Sequence, residues 1–205
     1  MIAIQITDPT RYNKKDRPTI IKAARGIESR LNDLDPAEQT EALSRVERAL
    51  ETRAPDASHA DLINTLTGGR TYTPIEIVEL ETRVLTASFA RRRELLKDAI
   101  TAPQVAKLLG TSRQTPHDRV ESGTLLGVQD RGAWYFPLWQ FDAEGPDGVV
   151  AGLPTALKAL DVSPLAKVSW LTRANQHLEG TSPLDVLKRG DVARIIALAE
   201  AVGVN

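Results

Sequence analysis

The chain is predicted to be mainly α, with one small β element near its middle. Three observations carry that prediction. Apolar residues recur at three- and four-residue spacing through most of the 205 residues. Helix-start signals, a capping side chain followed by proline, occur at Asp35-Pro36, Thr73-Pro74, Ser163-Pro164 and Ser182-Pro183. Around residues 125–137 the pattern changes to two short apolar runs about an Asp130-Arg131-Gly132 turn.

From the N-terminus, Ile2-Ala3-Ile4-Gln5-Ile6 alternates like a strand and is ended by Asp8-Pro9. A lone strand needs a partner, so it is expected to pair with another chain or with the later hairpin. Ile20, Ile21, Ala24, Ile27, Leu31 and Leu34 form one helical stripe. Asp35-Pro36-Ala37-Glu38 opens a second helix carrying Ala42, Leu43, Val46 and Leu50. Asp56–Thr67 reads as a third, stopped by Gly68-Gly69. Thr73-Pro74-Ile75-Glu76 opens a long helix ending near Ala99. On it Ile75, Val78, Thr82, Leu85, Phe89, Arg92 and Leu96 make a heptad-like seam, which serves either as a core spine or as a dimer interface.

Composition narrows the function. There is no cysteine, which excludes disulfides, thiolate metal sites and a cysteine nucleophile. His59, His117 and His177 lie far apart, so no metal site is expected and no cofactor is implied. No apolar run approaches the ~18 residues of a membrane helix, and no basic segment precedes an apolar one at the start, so a cytoplasmic protein without a signal peptide is expected. Catalysis is not expected either. There is no Gly-x-Ser-x-Gly elbow, Gly68-Gly69-Arg70-Thr71 lacks the Lys-Ser/Thr of a phosphate loop, and Glu79 and Glu81 point to different faces of their helix. The net charge of −1 hides an asymmetry: residues 83–131 carry nine Lys/Arg against five Asp/Glu, between two acidic flanks. A polyanion-binding surface therefore belongs in the middle of the chain, unless the excess is ordinary variation. Arg91-Arg92-Arg93 is either a phosphate-contacting edge or a solvated helix face.

The middle supplies a matching motif. Thr101-Ala102-Pro103-Gln104 opens a helix with Val105, Ala106, Leu108 and Leu109, then Gly110-Thr111-Ser112 makes a tight turn. A second helix follows from Ser112 to Ser122, with Pro116 in its first turn and Gly123 as its stop, then the hairpin. Arg113 suits bidentate contact to guanine and Gln114 to adenine, while Ser112, Thr115 and Arg119 suit phosphates. His117 can approach a phosphate or base, and Arg131 sits at the hairpin tip, where wings contact the backbone or minor groove. Asp118 and Glu121 dilute the positive field, and Trp134, Tyr135 and Phe136 are expected to be at least half core. Residues 101–141 resemble the winged helix-turn-helix of excisionase and MerR-type DNA-binding domains. The same trihelical unit with a hairpin also serves as a protein-docking module.

After a linker at Glu144-Gly145-Pro146-Asp147-Gly148 come short helices starting at Leu153-Pro154, Ser163-Pro164, Ser182-Pro183 and Asp191. The run WLTRANQHLEGTSPLDVLKRGDVARI, within residues 138–203, resembles the Xre/MbcA/ParS toxin-binding domain of antitoxins. That resemblance implies a partner, a RES-domain toxin that consumes NAD, held inactive by direct contact, and autoregulation at the protein's own operator. It departs from the common arrangement, in which a Cro-like helix-turn-helix stands at the N-terminus. Leu184, Leu187, Ile195 and Leu198 are expected to pack the small domain's own core. Trp170, Arg173, Asn175, Lys188, Arg189 and the uncharged tail Gly203-Val204-Asn205 are left to touch the toxin, the tail suiting a nucleotide pocket.

The expected organisation is a helical region at 1–99 with a dimerisation role, a winged helix-turn-helix at 100–142, and an antitoxin-like helical bundle at 150–205. The expected function is an antitoxin-like transcriptional regulator that binds double-stranded operator DNA as a homodimer and neutralises a RES-domain toxin. The alternatives are a toxin-free sequence-specific or nucleoid-type DNA-binding protein, and a protein adaptor that binds no DNA.

Overall fold

The start signals read from the sequence form as side-chain caps in the computed structural model, which describes residues 2–4, 17–51 and 73–202. Helix α1 spans Arg17–Asn32, α2 Pro36–Glu51 and α3 Pro74–Leu96. Asp35 Oδ1 accepts the N–H groups of Ala37 and Glu38, each at 3.0 Å, and the Glu38 carboxylate accepts the Asp35 N–H in return at 3.4 Å. Thr73 and Glu76 repeat this reciprocal arrangement at the head of α3. The expected helix at Asp56–Thr67 and its Gly68-Gly69 stop lie outside the described residues.

The chain divides into two compact units, Met1–Arg91 and Arg92–Asn205. In the first, Ile27 and Leu31 of α1, Leu34, Ala42 of α2, and Leu85 and Phe89 of α3 form one buried cluster, with Ile75 and Val78 packed against it. The α3 seam is thus the unit's core spine. Its polar member Thr82 is fully buried, with its hydroxyl donating to the Val78 carbonyl at 2.7 Å. Of the expected stripes, Ile21 and Leu43 face solvent. Residues 2–4, the described part of the N-terminal segment, do not join the sheet. The Asn32 side chain instead holds both the N–H and the C=O of Ile2, at 2.8 and 2.9 Å, while residues 5–16 lie outside the described ones.

In the second unit, α3 ends at Leu96, and strand β1 (Ala99–Thr101) precedes α4 (Ala102–Leu109) and α5 (Thr115–Glu121). Strands β2 (Val128–Asp130) and β3 (Ala133–Pro137) follow, giving an antiparallel sheet in the order β1-β3-β2 with Ile100 opposite Phe136. The two-residue hairpin loop has Arg131 at φ 49° and Gly132 at φ 78°. Two successive positive φ values define a type I′ turn, whose twist matches that of the strands. Strand β1 was not expected; a three-residue run just behind a long helix carries no legible alternation. Helices α6 (Leu153–Ala159), α7 (Pro164–Thr172), α8 (Pro183–Lys188) and α9 (Val192–Glu200) complete the unit.

Two cores serve this second unit. Ala102, Val105, Leu125, Phe136 and Val149 pack the helix-turn-helix on the sheet. Leu126 and Val128 instead join Val150, Leu153, Leu157, Leu171, Leu187 and Ile195 in the cluster under the C-terminal helices. Neighbours in sequence, Leu125 and Leu126 thus face different cores. The expected separation between domains at 100–142 and 150–205 is therefore bridged by a shared core, and residues 92–205 form a single unit. Gln140, fully buried, locks the junction: its Oε1 accepts the Leu126 N–H at 2.8 Å, and its Nε2 donates to the carbonyls of Leu126 and Pro137 at 3.0 Å.

Candidate nucleic-acid interface

The turn between α4 and α5 is built by backbone closure. Gly110 takes the left-handed conformation at φ 65°, and the Thr111 N–H returns to the Ala106 carbonyl at 2.9 Å, ending α4. The chain then runs exposed through Ser112, Arg113 and Gln114 into α5. The Ser112 and Thr115 hydroxyls lie 3.0 Å apart, and Ser112 Oγ accepts the Thr115 N–H at 3.4 Å, so this pair fixes the first turn of α5. The Gln114 amide nitrogen donates to Asp118 at 3.0 Å, and its carbonyl oxygen is the acceptor of that side chain.

The seven residues assigned to DNA differ in exposure and in what they already contact. Arg113 is exposed and makes no hydrogen bond or ion pair with another described residue. Arg131 is exposed at the hairpin tip. Arg119 is half-buried, with Nη1 donating to the Asp147 carbonyl at 2.9 Å and Nε reaching Thr124 Oγ1 at 3.4 Å. Its expected role as a phosphate ligand therefore gives way to a structural one, tying α5 to the loop at Pro146–Gly148. His117 is half-buried, its ring edge-on to Trp134 with centroids 5.9 Å apart, so it seats α5 against β3. Lys107, exposed in the last turn of α4, is a cation the motif reading passed over. The signal was there: Val105, Ala106 and Leu109 take the apolar side of that helix, and Lys107 falls opposite.

Within the Arg91-Arg92-Arg93 run, the Arg92 guanidinium meets the Asp130 carboxylate at 3.2 Å, with both side chains about one-third exposed or less. That pair fastens the C-terminal part of α3 to the end of β2, beside the Arg131 turn. It is a bracing contact and takes Arg92 out of both expected roles, seam residue and phosphate edge.

At the C-terminal face, Trp170 packs its ring against the core, and Asn175 Oδ1 accepts the His177 N–H at 2.9 Å, shaping the turn before α8. Both were assigned to partner contact, and both are half-buried. Arg173 at the end of α7, and Lys188 and Arg189 at the end of α8, are exposed. Gly203, Val204 and Asn205 lie outside the described residues. Lys167 donates to the Leu157 carbonyl at 2.6 Å, and its partial burial holds its pKa below the usual lysine value despite the opposing pull of Asp161.

A groove of about 460 Å³ runs beside α4, with Leu108, Leu109, Leu138 and Phe141 as an apolar floor and Asp142 and Asp147 at the rim. Leu108 and Leu138, 53% and 46% exposed, are the exposed large aliphatics of this unit among the described residues. Sequence reasoning placed Leu108 in the first helix of the motif and did not see the groove, because its walls come from three separate segments.

No described helix is long and apolar enough to cross a membrane, and no three His, Asp or Glu among the described residues are grouped to hold a metal ion. No family model, curated protein or solved structure matches the chain.

Proposed function

We propose that the chain is a DNA-binding transcriptional regulator of the antitoxin type, acting at its own operator. The observation that supports this best is the strand-helix-turn-helix-hairpin order, with a free Arg113 where the second helix begins and Arg131 at the hairpin tip. In that geometry the start of α5 enters the major groove and the hairpin lies along the backbone. Lys107 and Arg131 anchor phosphates, and Arg113 with the Gln114 carbonyl reads base edges. Fluorescence anisotropy with the duplex upstream of the gene, beside a scrambled duplex, tests it. Tighter binding to the native duplex, reduced at least tenfold by Arg113→Ala, is expected, since a good bidentate base contact carries about 1–3 kcal/mol. Equal binding to both duplexes that vanishes with added salt would leave a nucleoid-type protein.

The antitoxin part of the reading rests on the motif at residues 138–203. Among the described residues, Arg173, Lys188 and Arg189 are exposed groups available to a RES-domain toxin. Co-expression with the neighbouring reading frame, scored by a stable complex and rescue of growth, separates an antitoxin from a toxin-free regulator. The groove at Leu108 and Leu138 favours a second reading, a protein adaptor. An acid-rimmed apolar floor suits a peptide and repels phosphate. Unchanged behaviour of Arg113→Ala in every assay would select it.

A further inference from the structure

Helix α3 is apolar on two sides. One side, Ile75, Val78, Thr82, Leu85 and Phe89, is spent in the core of the first unit. The other carries Ile77, Leu80 and Val84, which are 39%, 44% and 64% exposed, followed by an exposed Ala87. These four positions repeat at three- and four-residue spacing. At 3.6 residues per turn the two stripes are centred about 160° apart, so the second faces directly away from the core. A stripe of this kind is the pattern of a helix that packs against another helix.

The charges of α3 say which helix. Its first eight residues hold Glu76, Glu79 and Glu81, and no base occurs before Arg83. From Arg83 onward come Arg91, Arg92 and Arg93 against the single acid Glu94. A parallel pair of these helices would stack like charges at both ends. An antiparallel pair sets the acidic half of each copy against the basic half of the other. We propose that the occupant of this face is a second copy of the chain, packed antiparallel on α3 to give a two-fold symmetric dimer. In the register that aligns the apolar stripes, Leu80 faces Val84 of the second copy and Ile77 faces Ala87. The same register sets Glu81 level with Arg83 of the second copy, and by symmetry Arg83 level with Glu81. Arg83 is exposed and has no side-chain partner among the described residues, so the pairing supplies one. The seam covers about 15 Å of helix, which places it in the weak, reversible class of interfaces. The pairing stands independently of whether the chain binds DNA.

The absence of native cysteine makes the register directly measurable. Leu80→Cys and Val84→Cys proteins, prepared separately, are mixed and air-oxidised. The proposal expects the mixed 80–84 disulfide to exceed both self-disulfides, because a disulfide needs Cα atoms about 4.4–6.8 Å apart and only the mixed pair is directly opposed. Sedimentation of the unmodified protein across roughly 1–200 µM should show a monomer–dimer equilibrium, weakened at least tenfold by Val84→Lys. Circular dichroism should show the helix content of that variant unchanged, since Val84 takes no part in the core. A monomer throughout that range, a dominant 80–80 disulfide, or a dimer indifferent to Val84→Lys would each overturn the proposal.

Discussion

Two arginines four residues or more apart in one motif can do opposite work, and Arg113 and Arg119 show how. Arg113 ends in solvent, whereas Arg119 is committed to the Asp147 carbonyl and to Thr124. Arg119→Ala should therefore cost stability, about 1–2 kcal/mol for a lost charge-assisted hydrogen bond to a carbonyl, measured by urea unfolding. Arg113→Ala should leave the unfolding midpoint unchanged and, on the proposed function, act on DNA affinity alone. Gln140 is the residue whose loss should be felt most. Gln140→Leu keeps the volume but strands the Leu126 N–H and two carbonyls in a dry junction. Each orphaned group costs about 1–3 kcal/mol, so a loss of at least ~3 kcal/mol is expected in the same assay. An effect below ~1 kcal/mol would mean that water replaces the amide.

At the scale of elements, α5 and the hairpin are set by close approach. A Cβ on Gly127 would meet Val120 Cγ2 at 2.7 Å and Trp134 Cε3 at 2.9 Å. This glycine lets the chain pass between the second helix and the wing strand without a side chain to accommodate. Gly127→Ala should cost about 1–3 kcal/mol by overpacking and, on the proposed function, should weaken DNA binding as well by shifting α5 against β3. A neutral result in thermal unfolding would show that Trp134 turns aside freely. The Arg92–Asp130 pair acts on the same hairpin from its other end, bracing the strand that leads into the Arg131 turn.

For the whole molecule, the division of the cores predicts which fragments fold. Every member of the two clusters in the second unit comes from residues 95–202, and the cluster of the first comes from residues 2–89. A fragment of residues 92–205 should therefore unfold cooperatively on its own, followed by circular dichroism. A fragment beginning at residue 143 should not, because it lacks Leu126 and Val128, which complete the core beneath α6 to α9. Cooperative folding of the shorter piece would restore the division into separate central and C-terminal domains.

Much of this architecture was legible along the chain, and for a local reason. Capping at Asp35-Pro36-Ala37-Glu38 and Thr73-Pro74-Ile75-Glu76 is decided by atoms three residues apart, and the Asp130-Arg131-Gly132 turn by two adjacent dihedral angles. Helical stripes likewise follow from a period contained within each segment, so the helices, their starts and the hairpin could be read without a fold. What the tertiary structure alone decided concerns residues that meet partners far away in sequence. Leu125 and Leu126 look alike until two cores claim them separately, and Arg119 looks like a phosphate ligand until Asp147, twenty-eight residues on, takes its guanidinium. Gln140 gives no sign of its role, since its three partners sit on backbone segments assembled only by packing. The same limit holds for α3: sequence shows a seam, but burial of one stripe was needed to reveal that a second remains exposed. Local rules choose the elements, and desolvation, which depends on what covers each side chain, chooses the roles.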